Sequence, residues 1–400
     1  MLLYIIGFLC YVLGCSVLRF RIRNSNHARR PYQSRPSFRH MTTHEAWEIV
    51  QYLITQEFPF TVAKALQFAL FRTYGIPSIS SLLCETTQLS TPQHAPRRYA
   101  DTTILVTEFM VHEPESRRCN EAIARMNWLH GMWLKSGKIK NEDMLFTLSL
   151  FVLEVERWIR ETEWREMTEM ELCALGTLFK SIGDAMSISY APLSRGPDKF
   201  VDGLEFTEDL RSWSKAYEEQ VMVPNQWNRQ LAEQTIDILL CNVPDSLKPV
   251  GTNIIVSLMD ERLRKAMMYE LPPPMYPKVI AFALQARKLF VKYLMPPRPW
   301  ALRYRTLTDP DSKTGRMLFT EYNSEPWYVA ATFFSLYSPL ALFRRALGRP
   351  VPDGKGYKPE GYHMFELGPS KFEGKGVEEC AATAEKLLNG RRGGCPFAVS

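Results

Sequence analysis

The chain has 400 residues, of which 46% are hydrophobic and 23% are charged, and this composition excludes a disordered or collagen-like protein. Its eight Cys contain no CxxC pair, which argues against a disulfide scaffold, a zinc knuckle or a thioredoxin-type redox motif. The net charge of +6 is concentrated in seven Arg between residues 19 and 39, so the remaining chain is close to neutral. We therefore expect no nucleic-acid partner, and the Arg cluster needs a different explanation.

Residues 1–18 carry no charged side chain and directly precede the Arg cluster. As a helix they would be about 27 Å long, close to the ~30 Å of hydrocarbon in a bilayer. A cleaved signal peptide would need basic residues before its apolar run, and a buried core helix would not need the Arg that follow. We therefore predict a single-pass transmembrane signal anchor over 1–18 and a basic juxtamembrane linker over 19–44. The positive-inside rule then places the body in the cytosol, and the linker can be disordered, bind anionic lipid, or both.

From residue 45 onward the pattern is helical and predicts an all-α fold. We expect a single large helical domain over 45–348 and a loop-rich tail over 349–400 that packs on it. Asn141 is a predicted helix cap, Thr168 and Glu171 match a capping box, and Pro224 is predicted at a first helical position. The predicted helices are 141–161, 168–187, 224–241, 244–269, 275–295 and 377–388.

The stretch 326–343 carries no charge and has two interpretations. The favoured one is a buried core helix, which Pro339 would kink. The alternative is a second membrane contact, with Trp327, Tyr328 and Tyr337 at the interface between lipid and water.

Several catalytic signatures are absent from the sequence. It contains no Walker A loop, GxGxxG, GxSxG or HExxH pattern. P-loop, Rossmann, α/β-hydrolase and zincin chemistry are therefore not expected. His40 and His44 are four residues apart, but such a pair beside a basic linker is more often incidental than a metal site.

Two predicted helical faces combine apolar residues with polar ones. His130 shares a face with Ile123, Met126, Trp133 and Leu134, and Arg98 and Thr102 share one with Leu105 and Phe109. An Arg on an apolar face needs an anionic partner or a polar cavity, because burying an unpaired charge is strongly unfavourable.

These faces have a structural and a functional interpretation. In the structural one, the imidazole bonds a backbone carbonyl and the Arg pairs with Glu108, Glu154 or Asp184. In the functional one, the faces line a haem pocket, because a neutral imidazole is a good axial ligand for haem iron. The guanidinium would then neutralise a propionate or polarise dioxygen, and the Thr hydroxyl would donate to bound oxygen or relay a proton.

The order of these residues resembles a known family. Arg98-x3-Thr102 is followed by Asn127-Trp128-Leu129-His130 and by Gly137-Lys138-Ile139-x-Asn141-x-Asp143. This order resembles the family that unites bacterial rubber oxygenases (latex-clearing proteins) with fungal ER-bound oxygenases of the mpaB type. The resemblance extends over about residues 45–400 and is strongest to the fungal branch at 69–77, 97–102, 164–165, 182–186 and 394–397.

The resemblance implies an all-α fold that holds haem b. His130 matches the proximal iron ligand of the family, and Arg98 and Thr102 match its catalytic residues on the dioxygen side. Rubber oxygenases carry a lysine three residues after this arginine, where this chain has Asp101, so a lysine-capped iron is not expected. Rubber oxygenases also use an upstream glutamate; Glu85 is the nearest candidate in this chain, and the role is not assigned to it.

The function implied is a membrane-anchored, haem-dependent oxygenase of the endoplasmic reticulum. It would use dioxygen to cleave a carbon–carbon double bond of a lipophilic, prenylated secondary metabolite. The expected partners are that small molecule, dioxygen, ER membrane lipid and other enzymes of the same pathway. The alternative is a non-enzymatic, ER-anchored helical interaction protein or haem carrier.

Overall fold

A computed structural model describes residues 1–197, 199–322, 324–391 and 393–397. The helices are α1 Leu2–Ala28, α2 Thr43–Tyr52, α3 Pro59–Thr73, α4 Pro77–Glu85, α5 Ala95–Val111, α6 Arg117–Lys135, α7 Asn141–Thr162, α8 Glu169–Ala185, α9 Gly203–Val221, α10 Gln226–Leu239, α11 Lys248–Ser257, α12 Glu261–Ala266, α13 Met275–Tyr293, α14 Phe333–Tyr337, α15 Pro339–Ala346 and α16 Val377–Gly390.

Short helical turns complete the secondary structure. A π-helical segment, Leu53–Glu57, continues α2, and 3-10 turns lie at Arg35–His40, Asp245–Leu247, Trp300–Leu302, Met364–Glu366 and Ser370–Phe372. Within the described ranges there is no strand, and β-pairing is limited to the isolated bridges Leu307–Phe319 and Met317–Tyr362. The predicted all-α fold is confirmed.

The capping box predicted at Thr168 is present and starts α8, because the Thr168 hydroxyl accepts from the Glu171 backbone N–H. The prediction for Asn141 is wrong. Lys140 occupies the cap position of α7, and Asn141 is the first helical residue. The Asn141 amide instead makes two hydrogen bonds with the backbone of Ser189, at 2.7 and 2.9 Å.

Two further boundaries differ from those predicted. Asn225 caps α10 through the Trp227 N–H, so the helix begins two residues after Pro224. The predicted helix 244–269 is divided into a 3-10 turn, α11 and α12. Asp260 causes the second break, because its carboxylate accepts from the Leu263 N–H at 3.0 Å and starts a new helix. The predicted helix 275–295 is confirmed as α13.

The core forms where the long helices pack against one another: α3 on α7, α8 on both α2 and α9, and α5 on α6. The α8–α9 contact depends on glycine. A Cβ at Gly176 would lie 2.1 Å from the Gly203 carbonyl oxygen, and one at Gly203 would lie 2.1 Å from that of Cys173. Any larger residue at either position would force these two helices apart.

The C-terminal tail belongs to the core. The predicted short helix is present as α16 and packs on α6. Arg125, fully buried on α6, donates to the backbone carbonyls of Leu367, Phe372 and Lys375 at 2.8–2.9 Å. A guanidinium on α6 therefore fastens the tail to the domain through three carbonyl groups.

One helix among the described residues, α1, is long and apolar enough to cross a membrane, with a mean hydropathy of 2.0 over its best 18-residue window. The helix continues past the predicted end of the anchor at residue 18 as far as Ala28. Its second half is docked on the body. Arg19 donates to the Met295 carbonyl at 2.8 Å, and His27 lies 3.0 Å from Glu171. The predicted linker is therefore ordered here, partly as a helix.

The stretch 326–343 does not form a buried core helix, so the favoured prediction is wrong. Thr332 and Ser338 each cap a short helix, and Pro339 is the first residue of the second one. Phe333 and Phe334 are 72% and 79% exposed. An uncharged sequence predicts that its side chains lie in an apolar environment. It does not show whether that environment is the protein core or a membrane.

Replacing Glu171 with Gln should destabilise the folded chain at pH 7. Burial alone would raise the pKa of Glu171, but hydrogen bonds from His27 and Arg165 outweigh it and lower the pKa from 4.5 to about 2. Because the pKa is lowered on folding, this stabilisation is present above pH 4.5 and is lost as the pH falls towards 2. We expect the substitution to lower the free energy of unfolding by about 3 kcal/mol at pH 7 and by almost nothing near pH 2, as measured by urea unfolding.

Glu169→Gln is the matched control, because Glu169 is exposed in the same first turn of α8. Its free energy of unfolding should change little at either pH. Equal stability of the two variants at pH 7 would contradict the role given to Glu171.

Candidate active site

A largely apolar cavity lies between α3, α4, α5, α6, α7 and α8. The volume that the centre of a water molecule can reach is about 200 Å³. The whole empty space between the lining atoms, which includes the open mouth, is about 1240 Å³. Arg98, Thr102 and His130 all line it. The structure therefore brings the three predicted site residues together in one place.

Arg98 faces the cavity without a carboxylate partner among the described residues. Its guanidinium donates to the Thr102 hydroxyl, one turn later on α5. Burial lowers the pKa of Arg98, against the opposing effect of the charge on Asp101.

The acidic partners proposed for Arg98 in the structural interpretation are bound elsewhere. Glu108 pairs with Arg118, Glu154 with Arg157, and Asp184 with Lys180. The ion-pair interpretation of Arg98 is therefore wrong, and its charge remains directed at the cavity.

His130 presents a buried imidazole to the same cavity. Its Nδ1 atom is buried, and no hydrogen-bond partner for it lies in the described parts of the chain. The bond from Nδ1 to a backbone carbonyl that the structural interpretation expected is thus missing. Burial, and then the charge of Arg98, lower the pKa of His130 to about 4, so the imidazole is neutral at neutral pH. A neutral imidazole is the form that binds a metal ion.

No known protein-family profile matches the chain, but relatives along most of its length do. It is 40% identical over 396 residues to the ER-bound oxygenase mpaB' of Penicillium brevicompactum, across 98% of this chain and 94% of that protein. It is 36% identical over 354 residues to the ER-bound oxygenase mpaB of the same organism, across 88% of this chain and 84% of that protein. The ER-bound oxygenase mpaB of Penicillium roqueforti (strain FM164) is 42% identical over 261 residues, which are 65% of this chain and 88% of that protein.

The chain belongs to the mpaB family of ER-bound oxygenases. Because the match covers nearly the full length of both chains, the predicted family is confirmed, and with it the role of an oxygenase.

Asp101 has no place in the cavity of this mpaB-type oxygenase. Its carboxylate accepts from the Tyr328 hydroxyl at 2.7 Å and lies 3.8 Å from Arg97. Burial raises the pKa of Asp101 to about 6, although Tyr328 and Arg97 oppose the shift. The residue three positions after Arg98 therefore binds Tyr328 of the stretch 326–343 and does not line the candidate site.

Several cavity residues were not predicted to be functional. Lys138 and Asp143 line the cavity, and their only sequence signal was the motif that follows His130. Asp143 accepts from the hydroxyls of Ser78 and Tyr217, both at 2.8 Å. Glu85 does not line the cavity, but it forms an ion pair with Lys138, which does.

Two tyrosines, Tyr74 and Tyr99, also line the cavity, and their only sequence signal was their place in the segments that resemble the fungal branch. Burial raises the pKa of Tyr74 to about 12, against the charge of Arg98. The Tyr99 hydroxyl is buried, and no hydrogen-bond partner for it is found in the described chain. Tyr74 directly follows α3 and Tyr99 lies on α5, and helical periodicity alone assigns both positions to ordinary packing.

The described ranges contain no group of three or more His, Cys, Asp or Glu side chains that could hold a metal ion by themselves. Haem needs less from the protein, because the porphyrin supplies four of the iron ligands and the chain supplies an axial one. The neutral imidazole of His130, which lines the cavity, fits that requirement.

Proposed function

We propose that this oxygenase is haem-dependent and cleaves a carbon–carbon double bond of a lipophilic, prenylated secondary metabolite with dioxygen. The observation that carries the proposal is the convergence of Arg98, Thr102 and an unpaired His130 on one apolar cavity. The reaction inserts both atoms of dioxygen, breaks the C=C bond and forms two carbonyl groups. Both oxygen atoms are used in the products, so the reaction needs no external reductant.

Each of the three side chains has a distinct task. His130 would hold the iron of haem b, because its imidazole is neutral and has no competing partner among the described residues. When bound, haem would supply an iron centre that activates dioxygen. Arg98 contributes a fixed positive charge, and Thr102 contributes a hydroxyl that the guanidinium orients by donating to it.

The apolar walls of the cavity suit an isoprenoid chain. Leu82, Val106 and Phe151 are among the side chains that surround the three polar residues. They provide hydrophobic contacts for a hydrocarbon chain and exclude water from the reacting double bond.

The test is to express the full chain with haem supplementation and incubate it with a prenylated aromatic compound under dioxygen. A Soret band together with two carbonyl products from the chain supports the proposal. A Soret band without turnover supports a haem carrier, and the absence of a Soret band supports a helical interaction protein instead.

We also propose that α1 anchors the chain in the ER membrane as a single span, with the body on the cytosolic side. The proposal rests on the apolar residues of α1, on the Arg-rich segment that follows them and on the names of the relatives. Partners at the membrane would be ER lipid and other enzymes that handle the same metabolite.

The full chain should stay in the membrane fraction when microsomes are treated with carbonate. Deletion of residues 2–14 should release the protein into the carbonate extract. These residues are the mostly exposed part of α1, whereas Cys15 and Arg19 are buried against the body, so the fold should persist. The measurement is carbonate extraction of microsomes, with circular dichroism of the released protein. Carbonate resistance after the deletion would show that α1 is not the anchor.

A further inference from the structure

A second, larger cavity lies beside the candidate site. It measures about 1030 Å³ as the space open to the centre of a water molecule, at the upper end of the ~300–1,000 Å³ that small-molecule sites occupy. Leu70, Tyr99, Thr103 and Val106 line both cavities and form a shared wall. A ligand in the second cavity is therefore only one layer of side chains away from the candidate site.

A loop closes the other side of this second cavity. The Tyr304 N–H donates to the Thr55 carbonyl at 2.7 Å, which fastens the loop containing Trp300 across the π-helical segment. A π-helical turn is unusual in a helix and often occurs at functional sites. Both Thr55 and Tyr304 line the cavity, so the bond is part of its wall.

The docking of α1 fixes where this loop lies relative to a membrane. Tyr11 donates to the Leu294 carbonyl at 2.8 Å, and Arg19 donates to the Met295 carbonyl at 2.8 Å. The part of α1 ahead of Tyr11 is about 15 Å long, only half of a hydrocarbon core of about 30 Å. If α1 spans the bilayer, Leu294 and Met295 must therefore lie within its cytosolic half.

The surface next to this point is apolar. Phe60, Trp300 and Leu302, which we call the apolar rim, are 59%, 63% and 66% exposed. Phe60 and Trp300 also line the second cavity. Along α13 an exposed apolar stripe follows helical spacing, through Met275, Val279, Phe282, Ala286 and Leu289.

Basic side chains surround the apolar rim. Arg298 and Arg303 donate to backbone carbonyls of the rim at 3.2 and 3.3 Å, and both line the cavity. Lys64 contacts the Phe60 ring, and burial lowers its pKa against the charge of Glu321. An apolar surface edged by cations fits the cytosolic leaflet, whose anionic headgroups lie above its acyl chains.

Two polar side chains in the wall of the cavity lack hydrogen-bond partners within the described chain. The Trp47 indole N–H and the Tyr99 hydroxyl are buried, and neither has a hydrogen-bond partner among the described residues. Unpaired buried donors are costly, so a ligand that supplies oxygen acceptors would be favoured.

We propose that the second cavity is an access chamber that takes a prenylated, oxygen-bearing substrate directly from the cytosolic leaflet, through the apolar rim. The isoprenoid chain then passes the shared wall at Tyr99 to reach the cavity of His130. The nature of the substrate rests on the proposed function, whereas the chamber itself rests on the two cavities and on the docking of α1.

The test is photolabelling of the full chain in phosphatidylcholine–phosphatidylserine vesicles with a benzophenone ether of farnesol. Label on the segments 60–67 and 298–307, with and without added haem, is the expected result. Ala63→Trp, which fills the chamber, should lower that labelling about tenfold. Ala191→Trp, on an exposed turn outside both cavities, should leave it unchanged.

A second pair of variants tests the route without touching the core. Leu302→Glu places a charge in the apolar rim and should slow labelling of the chamber, whereas Leu247→Glu, at another exposed site, should not. Label confined to α1 and α13, or unchanged labelling in both Ala63→Trp and Leu302→Glu, would overturn the chamber. Because labelling needs no turnover, absence of haem or of cleavage would overturn only the proposed function.

Discussion

Replacing His130 with Ala is expected to remove haem from the protein and abolish turnover. His130 is the only histidine among the described residues that line the candidate cavity, and its Nδ1 has no other partner in the described chain. We expect the Soret band of the purified variant to be lost or shifted. Added imidazole should partly restore it, because the substitution leaves a space of the same shape.

His94→Ala is the matched control, since His94 is exposed just before α5. That variant should keep its haem spectrum and activity. An unchanged spectrum and normal turnover in His130→Ala would remove the basis of the haem proposal, because no other histidine among the described residues lines the cavity.

Replacing Arg98 with Ala should lower kcat by about 10²–10³, the usual cost of losing a preorganised polar group that stabilises developing charge. The guanidinium is buried at the cavity without a carboxylate partner among the described residues, so its charge is available to the reaction. Thr102→Ala should have a smaller effect, because it removes a neutral hydroxyl. The measurement is single-turnover kinetics at equal haem occupancy, judged from the Soret band.

Arg97→Ala is a useful comparison on the same helix. Arg97 binds Glu373 at 2.6 Å and lies outside both cavities, so its loss should reduce thermal stability and leave kcat unchanged. Wild-type kcat in Arg98→Ala would leave that residue only a structural role. Arg98→Lys should recover part of the rate, because it restores the charge without the planar donor geometry.

The three site residues could be predicted because helical periodicity is a local property. Arg98 and Thr102 are four residues apart on α5, and His130 lies on the inner face of α6. The missing partner of the His130 ring could not be predicted, since it depends on what happens to lie opposite the Nδ1 atom. Asp143 was missed for a similar reason: its two hydroxyl partners come from α4 and α9.

Helix boundaries at which two residues compete for the cap position could also not be predicted from the sequence. Pro224 fits a first helical position, but Asn225 is the better cap and moves the start of α10. Asn141 is a good cap in isolation, yet its amide finds two partners at Ser189 in the folded chain. Local preference limits the residues at which a helix can begin, and tertiary contacts then decide between them.

The three carbonyl groups held by Arg125 have a consequence for how the protein matures. They belong to residues 367–375, which are synthesised well after α6. The helix that carries His130 therefore lacks the segment that fastens it until synthesis has passed residue 375. A chain truncated before residue 367 is expected to keep α1 but to leave α6 without its three carbonyl partners.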